Sequence, residues 1–171
     1  MKALAVDSSI TRLTVAAMNN DKTVTAVYNI GMKQSEILLP SIEYVLTKAG
    51  LTSAELECTV IAQGPGSFTG LRLGFAACKA LEQAHNIPVY GIPTLEAYAF
   101  PYRNLPFTVL SVIDAKQDRF YAAVYKNGKE VTTNYDEIKQ DFSKGFQLSY
   151  AKIDSLDTML HKDAYRSSDI S

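Results

Sequence analysis

Two stretches of the chain match each other at a fixed distance. Val6-Asp7-Ser8-Ser9-Ile10-Thr11-Arg12 and Ile113-Asp114-Ala115-Lys116-Gln117-Asp118-Arg119 each place an aspartate where an apolar run ends and an arginine five residues later. Further apolar runs follow at 13–17 and 120–124, and then turns, Asn19-Asn20-Asp21 and Asn127-Gly128, all at an offset of 107 residues. A strand–Asp–turn–strand unit that recurs this way constrains the fold to two related halves. They divide at Pro101, into 1–101 and 102–171. The second half reads as shortened. Beyond Val131 only a weak strand at 143–151 and a short capped helix at 155–162 stand out, and the last residues read as a frayed tail.

Within the first half, strands give way to helices. Residues 4–6, 13–18 and 23–30 read as a buried strand followed by a hairpin. Ser35 is in place to cap a helix over 36–49, with Leu38, Ile42, Val45, Leu46 and Ala49 at helical spacing and Gly50 to close it. Pro40 forfeits one backbone bond near its start. Thr52-Ser53-Ala54-Glu55 has capping-box spacing. A strand at 59–62, a glycine-rich loop and a long helix ending near Asn86 come next. A short strand at 89–91 and a helix from Leu95, capped by Thr94, complete the half.

The loop, Gly64-Pro65-Gly66-Ser67-Phe68-Thr69-Gly70-Leu71-Arg72-Leu73-Gly74, invites a chemical reading and resists each one. A P-loop needs lysine and a hydroxyl after its last glycine, and Leu71-Arg72 stand there. The dinucleotide fingerprint needs glycines at one, three and six, and the third falls at seven. A nucleophile elbow needs glycines two before and two after its serine; Ser67 has Pro65 and Thr69. Of the two histidines, His85 lies about 27 Å along the same helix and His161 falls in the shortened region, so Ser67 reads as a helix cap. No histidine pair or cysteine cluster has metal-ligand spacing. Asp7, Arg12 and Asp114 are weak nucleotide candidates, because the glycines that let backbone amides approach a phosphate are missing beside both aspartates. Strand-end acids that bond the neighbouring turn are the plainer reading.

The helix after the loop has apolar surface almost all round, with one polar stripe of Arg72, Lys79, Gln83 and Asn86. A helix that covers one face of a sheet needs only one apolar face. Gly70, Gly74 and Ala77 line up one turn apart, a row that would let another helix approach closely. On that reading Gly74→Leu would push the two helices apart. The first helix also has more apolar surface than one face needs, in Ile37, Leu38, Leu39, Ile42, Tyr44, Val45 and Leu46. From pattern alone, a second chain and the rest of the same chain remain equally open as the cover.

Charge and composition narrow the class. The formal charge is -1 and the basic residues are scattered, so nothing marks a nucleic-acid grip. No run reaches membrane-spanning length, and the first residues are too short an apolar run for a signal peptide. Cys58 and Cys78 read as buried free thiols of a cytoplasmic protein.

The eleven-residue loop resembles the signature of the TsaB (YeaZ) family. So do Asp7-Ser8-Ser9, Ser35-Glu36-Ile37-Leu38-Leu39-Pro40 with Ile42, Thr94-Leu95-Glu96-Ala97 and Ile113-Asp114-Ala115-Lys116, in order along the chain. The resemblance implies an α/β actin/Hsp70-like fold of two ribonuclease-H-like halves. It implies a non-catalytic subunit without a cofactor, which pairs with the catalytic TsaD and works with the ATPase TsaE in making threonylcarbamoyladenosine in tRNA. Contact with tRNA comes only through the complex. The family's first two helices form a bundle with TsaD, or with a second copy when TsaD is absent. Carried onto this sequence, the interface comprises Ser35, Glu36, Leu38, Leu39, Ile42, Phe68, Gly70, Leu71, Leu73, Gly74 and Ala77. Gln34 replaces a frequent family histidine, with a small change expected at the interface rim. The chain is shorter than usual members. The alternative from another class is a nucleotide-binding or hydrolytic, peptidase-like enzyme of the same fold.

Overall fold

The computed structural model describes residues 1–29, 33–116 and 119–131; the expected strand at 143–151, the helix at 155–162, the tail and His161 lie outside them. Two compact units divide between Thr94 and Leu95.

The first unit is one five-stranded sheet under two helices. Strands β1 (Lys2–Asp7), β2 (Arg12–Asn19) and β3 (Lys22–Asn29) form an antiparallel meander. Its second turn places Asn20 at φ 53°, in the left-handed region that asparagine tolerates. Strands β4 (Cys58–Ala62) and β5 (Val89–Ile92) add in parallel, giving the order β3-β2-β1-β4-β5. Helix α1 (Gln34–Ala49) links β3 to β4, and α2 (Phe68–His85) links β4 to β5. Strand alternation sends Leu4, Val6, Leu13, Val15, Ala17 and Ile61 to one face of the sheet. Leu38, Ile42, Val45, Leu46 and Ala49 of α1, with Ala77 and Cys78 of α2, close over them as one core. Fully burying a side chain such as Leu4 contributes roughly 1.5–3 kcal/mol.

Several boundaries move from their expected places. Helix α1 begins at Gln34, with Lys33 at the N-cap position and no side-chain cap, so Ser35 is helical rather than capping. Gly50 does close the helix, at φ 76°. Pro40 lies inside α1, where it has no amide hydrogen to donate to the Glu36 carbonyl. The capping-box residues form a single 3-10 turn, Ser53–Glu55, in which the Thr52 amide donates to Glu55 Oε2 at 2.9 Å. The short helix α3 (Thr94–Ala99) starts at Thr94 itself. The buried Thr94 hydroxyl has no partner there, while its amide donates to the Gly64 carbonyl. Among the described residues no helix is long and apolar enough to cross a membrane.

In the second unit β6 (Val109–Lys116), β7 (Arg119–Lys126) and the two-residue β8 (Lys129–Glu130) form an antiparallel sheet in that order. Asn127 and Gly128 both have positive φ, as a tight hairpin turn requires. The sequence repeat thus reappears as a hairpin, with one difference. The offset would carry the pair Val6↔Val15 onto Ile113↔Ala122, but Ile113 pairs with Tyr121. An irregularity between Asp114 and Lys116 accompanies this one-residue change of register.

Both cysteines are free and buried. Burial pushes the Cys78 thiol up to about 11 and raises Cys58 as well. At pH 8 only about one Cys78 in a thousand is thiolate, the reactive form. The folded chain is therefore expected to react with a thiol reagent far more slowly than the denatured chain, which should titrate two thiols. Labelling of folded Cys78 at the rate of an exposed thiol would contradict this burial.

Candidate functional site

The loop and helix that carry the family-like signature are built around Ser8. Ser8 is fully buried, and its hydroxyl donates to the Gly70 carbonyl at 2.7 Å. The Ser9 carbonyl accepts from the Ser67 amide at 2.5 Å. A side chain at Gly70 would overlap the Ser8 carbonyl oxygen. At Gly74 a Cβ would stand 2.5 Å from Ser8 Oγ and 2.7 Å from Ile61 Cδ1. The row of Gly70, Gly74 and Ala77 therefore lets α2 settle onto the chain's own β1 and β4. It does not admit another helix, as its spacing had suggested, because that face is already occupied by the end of β1.

The same geometry shows where the expected interface residues lie in the folded chain. Leu38, Ile42, Gly70, Gly74 and Ala77 belong to the chain's own interior, and Leu71 and Leu73 are half-buried, with Leu73 packed against the core. Gln34 is no rim residue either. It is 7% exposed and its amide donates to the Ile10 carbonyl, tying the start of α1 to the β1–β2 turn.

What remains outside is a coherent surface. Helix α1 turns Ser35, Glu36, Leu39, Glu43 and Tyr44 outward; Leu39 is 65% exposed and Tyr44 50%. Helix α2 turns out Phe68, Arg72, Phe75, Ala76 and Lys79, with Phe68 73% and Phe75 37% exposed. The Arg72 guanidinium lies 5.2 Å from the Phe68 ring centroid, within cation–π range. Lys48 sits 5.8 Å over Tyr44 in the same way. Phe75, Glu43, Arg72 and Lys79 went unmarked as interface residues in the sequence. Phe75 stands seven residues after Phe68, so a helical wheel finds it once the buried side of α2 is known.

Where the two helices start, a cleft of about 380 Å³ opens beside the β1–β2 turn. Ile10, Thr11, Gln34, Ser35, Thr69 and Arg72 are among its lining residues, and among the described residues no carboxylate or histidine lines it. The residues considered for chemistry have other work. Ser67 Oγ accepts from the Gly70 amide, so it caps α2. His85 is at the far end of that helix, with Nε2 3.0 Å from Ser53 Oγ. Asp7 Oδ1 accepts from the Ser9 amide at 2.9 Å and from the Ser9 hydroxyl at 2.5 Å, the turn-bonding role expected of a strand-end acid. Arg12 is exposed at the start of β2, across that turn from Asp7, and Asp114 lies exposed in the second unit.

A family model described as TsaD, tRNA N6-adenosine threonylcarbamoyltransferase, matches residues 30–169. The tRNA threonylcarbamoyladenosine biosynthesis protein TsaB of Bacillus subtilis is 29% identical over 170 residues, covering 95% of this chain and 74% of the relative. The protein of the same name from Escherichia coli is 31% identical over 129 residues, covering 74% and 55%. Among solved structures, YeaZ from Pseudomonas aeruginosa superposes with a TM-score of 0.69 at 26% identity, covering 78% of this chain and 64% of that one. The chain thus spans between about half and three quarters of the length of these relatives.

Proposed function

Since the chain belongs to the TsaB/YeaZ family, within the group that the TsaD model describes and with its actin/Hsp70-like α/β fold, we propose that it is a non-catalytic scaffold of tRNA threonylcarbamoyladenosine synthesis. In this reading it activates the catalytic subunit TsaD, works beside the ATPase TsaE in the cytoplasm, and pairs with a second copy when TsaD is absent. It meets tRNA only through the complex. The observation that carries the proposal is the outward surface of α1 and α2. Leu39, Tyr44, Phe68 and Phe75 are large apolar side chains on neighbouring helices, gathered rather than scattered. Gathered apolar residues mark an interaction site, whereas single ones are ordinary. A stable complex of standard size buries about 800 Å² on each partner.

The test is a tRNA modification assay with purified TsaD and TsaE from the same organism. Modification is expected to fall to background when this chain is omitted and to return when it is added. Undiminished modification without it would overturn the proposal, as would ATP or peptide turnover by this chain alone that is lost on Asp7→Ala.

A further inference from the structure

The second unit gathers positive charge at one corner, and the proposed function leaves it unused. Lys126 and Lys129 are register partners across the turn between β7 and β8. Register partners share a face, so two like charges stand directly opposite each other, which destabilises a hairpin. Arg103 comes to the same turn from the 3-10 turn Phe100–Tyr102. A Cβ at Gly128 would stand 2.9 Å from Arg103 Cβ, so the glycine is what lets the arginine pack there. Arg103, Lys126 and Lys129 are exposed, and no carboxylate among the described residues pairs with any of them.

The acids of this unit are elsewhere. Those among its described side chains are Glu96, Asp114 and Glu130. Glu130 is the register partner of Tyr125, so strand alternation sets it on the opposite face of the hairpin from the two lysines. Burial, and then the charges of Glu130 and Glu96, push the Tyr125 hydroxyl up to about 12, so the field of Glu96 also falls on the Tyr125 side. Asp114 pairs with Phe120, six residues along β7 from Lys126, a separation of about 20 Å in a strand.

Flat side chains accompany the cations. Arg103 Cζ lies 3.8 Å from the Phe100 ring centroid, which is stacking distance. Arg103 Nη1 donates to the Phe100 carbonyl at 3.0 Å and so keeps the guanidinium beside the ring. Phe100 and Tyr102 are both more than half exposed. Unpaired bases stack on aromatic rings and on guanidinium planes, and the phosphates between them need cations. We propose that Phe100, Tyr102, Arg103, Lys126 and Lys129 form a contact for unpaired RNA, with bases on the Phe100–Arg103 pair and on Tyr102 and phosphates on the two lysines. An acidic peptide would satisfy the cations and leave the rings bare. The inference goes beyond the scaffold reading, since it gives the chain an RNA contact of its own in the unit that lacks α1 and α2. Three cations hold RNA weakly, so the contact adds to an affinity that the assembled complex supplies.

The test is fluorescence anisotropy of a labelled, unstructured RNA of about ten nucleotides with the full chain, at about 50 mM salt and above. The parent chain is expected to bind, with log affinity falling against log salt at a slope of about -2, or about -0.7 for each of three phosphate contacts. Lys126→Gln with Lys129→Gln should weaken binding at least about tenfold and bring the slope near about -0.7. Because it removes two opposed like charges, this variant should melt no lower than the parent. Phe100→Ala with Tyr102→Ala should weaken binding at least about fivefold and leave the slope unchanged, with circular dichroism to check the fold. A parent chain that binds no RNA, or a glutamine variant that binds it equally well, would sink the proposal. Polyglutamate that displaces the RNA, with an affinity that the two alanine changes do not alter, would give the corner to an acidic protein segment instead. The scaffold reading is judged separately, because modification that persists without this chain would overturn that reading and leave the anisotropy result as it stands.

Discussion

Gly74→Leu is expected to cost the chain its fold before it affects any partner. The glycine's missing Cβ is the reason that α2 can lie against the end of β1: a Cβ there would already stand 2.5 Å from Ser8 Oγ and 2.7 Å from Ile61 Cδ1. Neither neighbour can give way cheaply. The Ser8 side chain is fully buried and fixed by its bond to the Gly70 carbonyl, and Ile61 is fully buried in β4. The three further heavy atoms of leucine would have to push α2 off the sheet and open the core that Cys78 and Ala77 share with Leu4 and Val6. Overpacking of a rigid core costs about 1–3 kcal/mol and occasionally more, and here the obstacle includes an anchored polar side chain. Gly70→Val meets backbone instead, the Ser8 carbonyl, which cannot rotate aside. For both variants we expect a melting temperature lower by about 10 °C or more, or recovery of the chain only as aggregate. Thermal denaturation followed by circular dichroism reads this directly. A Gly74→Leu chain that melts like the parent yet fails to bind its partner would return the glycine row to the interface.

Phe68→Asp and Leu39→Asp are expected to do the reverse, leaving the fold intact and removing the partner. Phe68 and Leu39 are 73% and 65% exposed, so little of either side chain stabilises the isolated molecule. Phe68 is the first residue of α2 and Leu39 lies in the second turn of α1, so both stand where the two helix starts come together beside the cleft. Aromatic anchors of this kind dominate binding energy when a partner covers them, and losing one costs about 2 kcal/mol or more, which is roughly a 30-fold change in Kd. Aspartate adds the cost of an unpaired charge in a closed surface. We expect each variant to melt within about 2 °C of the parent while its affinity for TsaD falls at least about 30-fold, and tRNA modification in the reconstituted assay should fall with it. Calorimetry on TsaD checks the first, and unchanged affinity in both variants would remove α1 and α2 from the interface.

The first prediction gives Gly74 a part other than the one its spacing suggested, and the reason is physical. A row of small residues one turn apart states that something comes close, without stating what. A second helix and the backbone end of a strand leave the same trace. Likewise Leu38 and Leu39 are identical in chemistry and adjacent in sequence, yet one is 1% exposed and the other 65%. Helical periodicity could name the stripe of Leu38, Ile42, Val45 and Ala49. It could not say that this stripe was sufficient to cover the sheet and that Leu39 and Tyr44 were surplus.

Sequence alone determined the local order of this protein. Alternation and turn residues set the meander of β1 to β3, helical spacing and Gly50 set the body and end of α1, Ser67 set the cap of α2, and a repeat of 107 residues announced the second hairpin. These depend on neighbours within a few residues, or on a pattern that can be counted. Only the tertiary structure decided that Ser8 and Gly70, 62 residues apart, would share a hydrogen bond, that Gln34 would be buried against the β1–β2 turn, and that Leu39 and Phe68 would be left exposed. Those facts follow from which side of each helix the sheet takes up, and that choice is made by contacts between segments far apart in the chain.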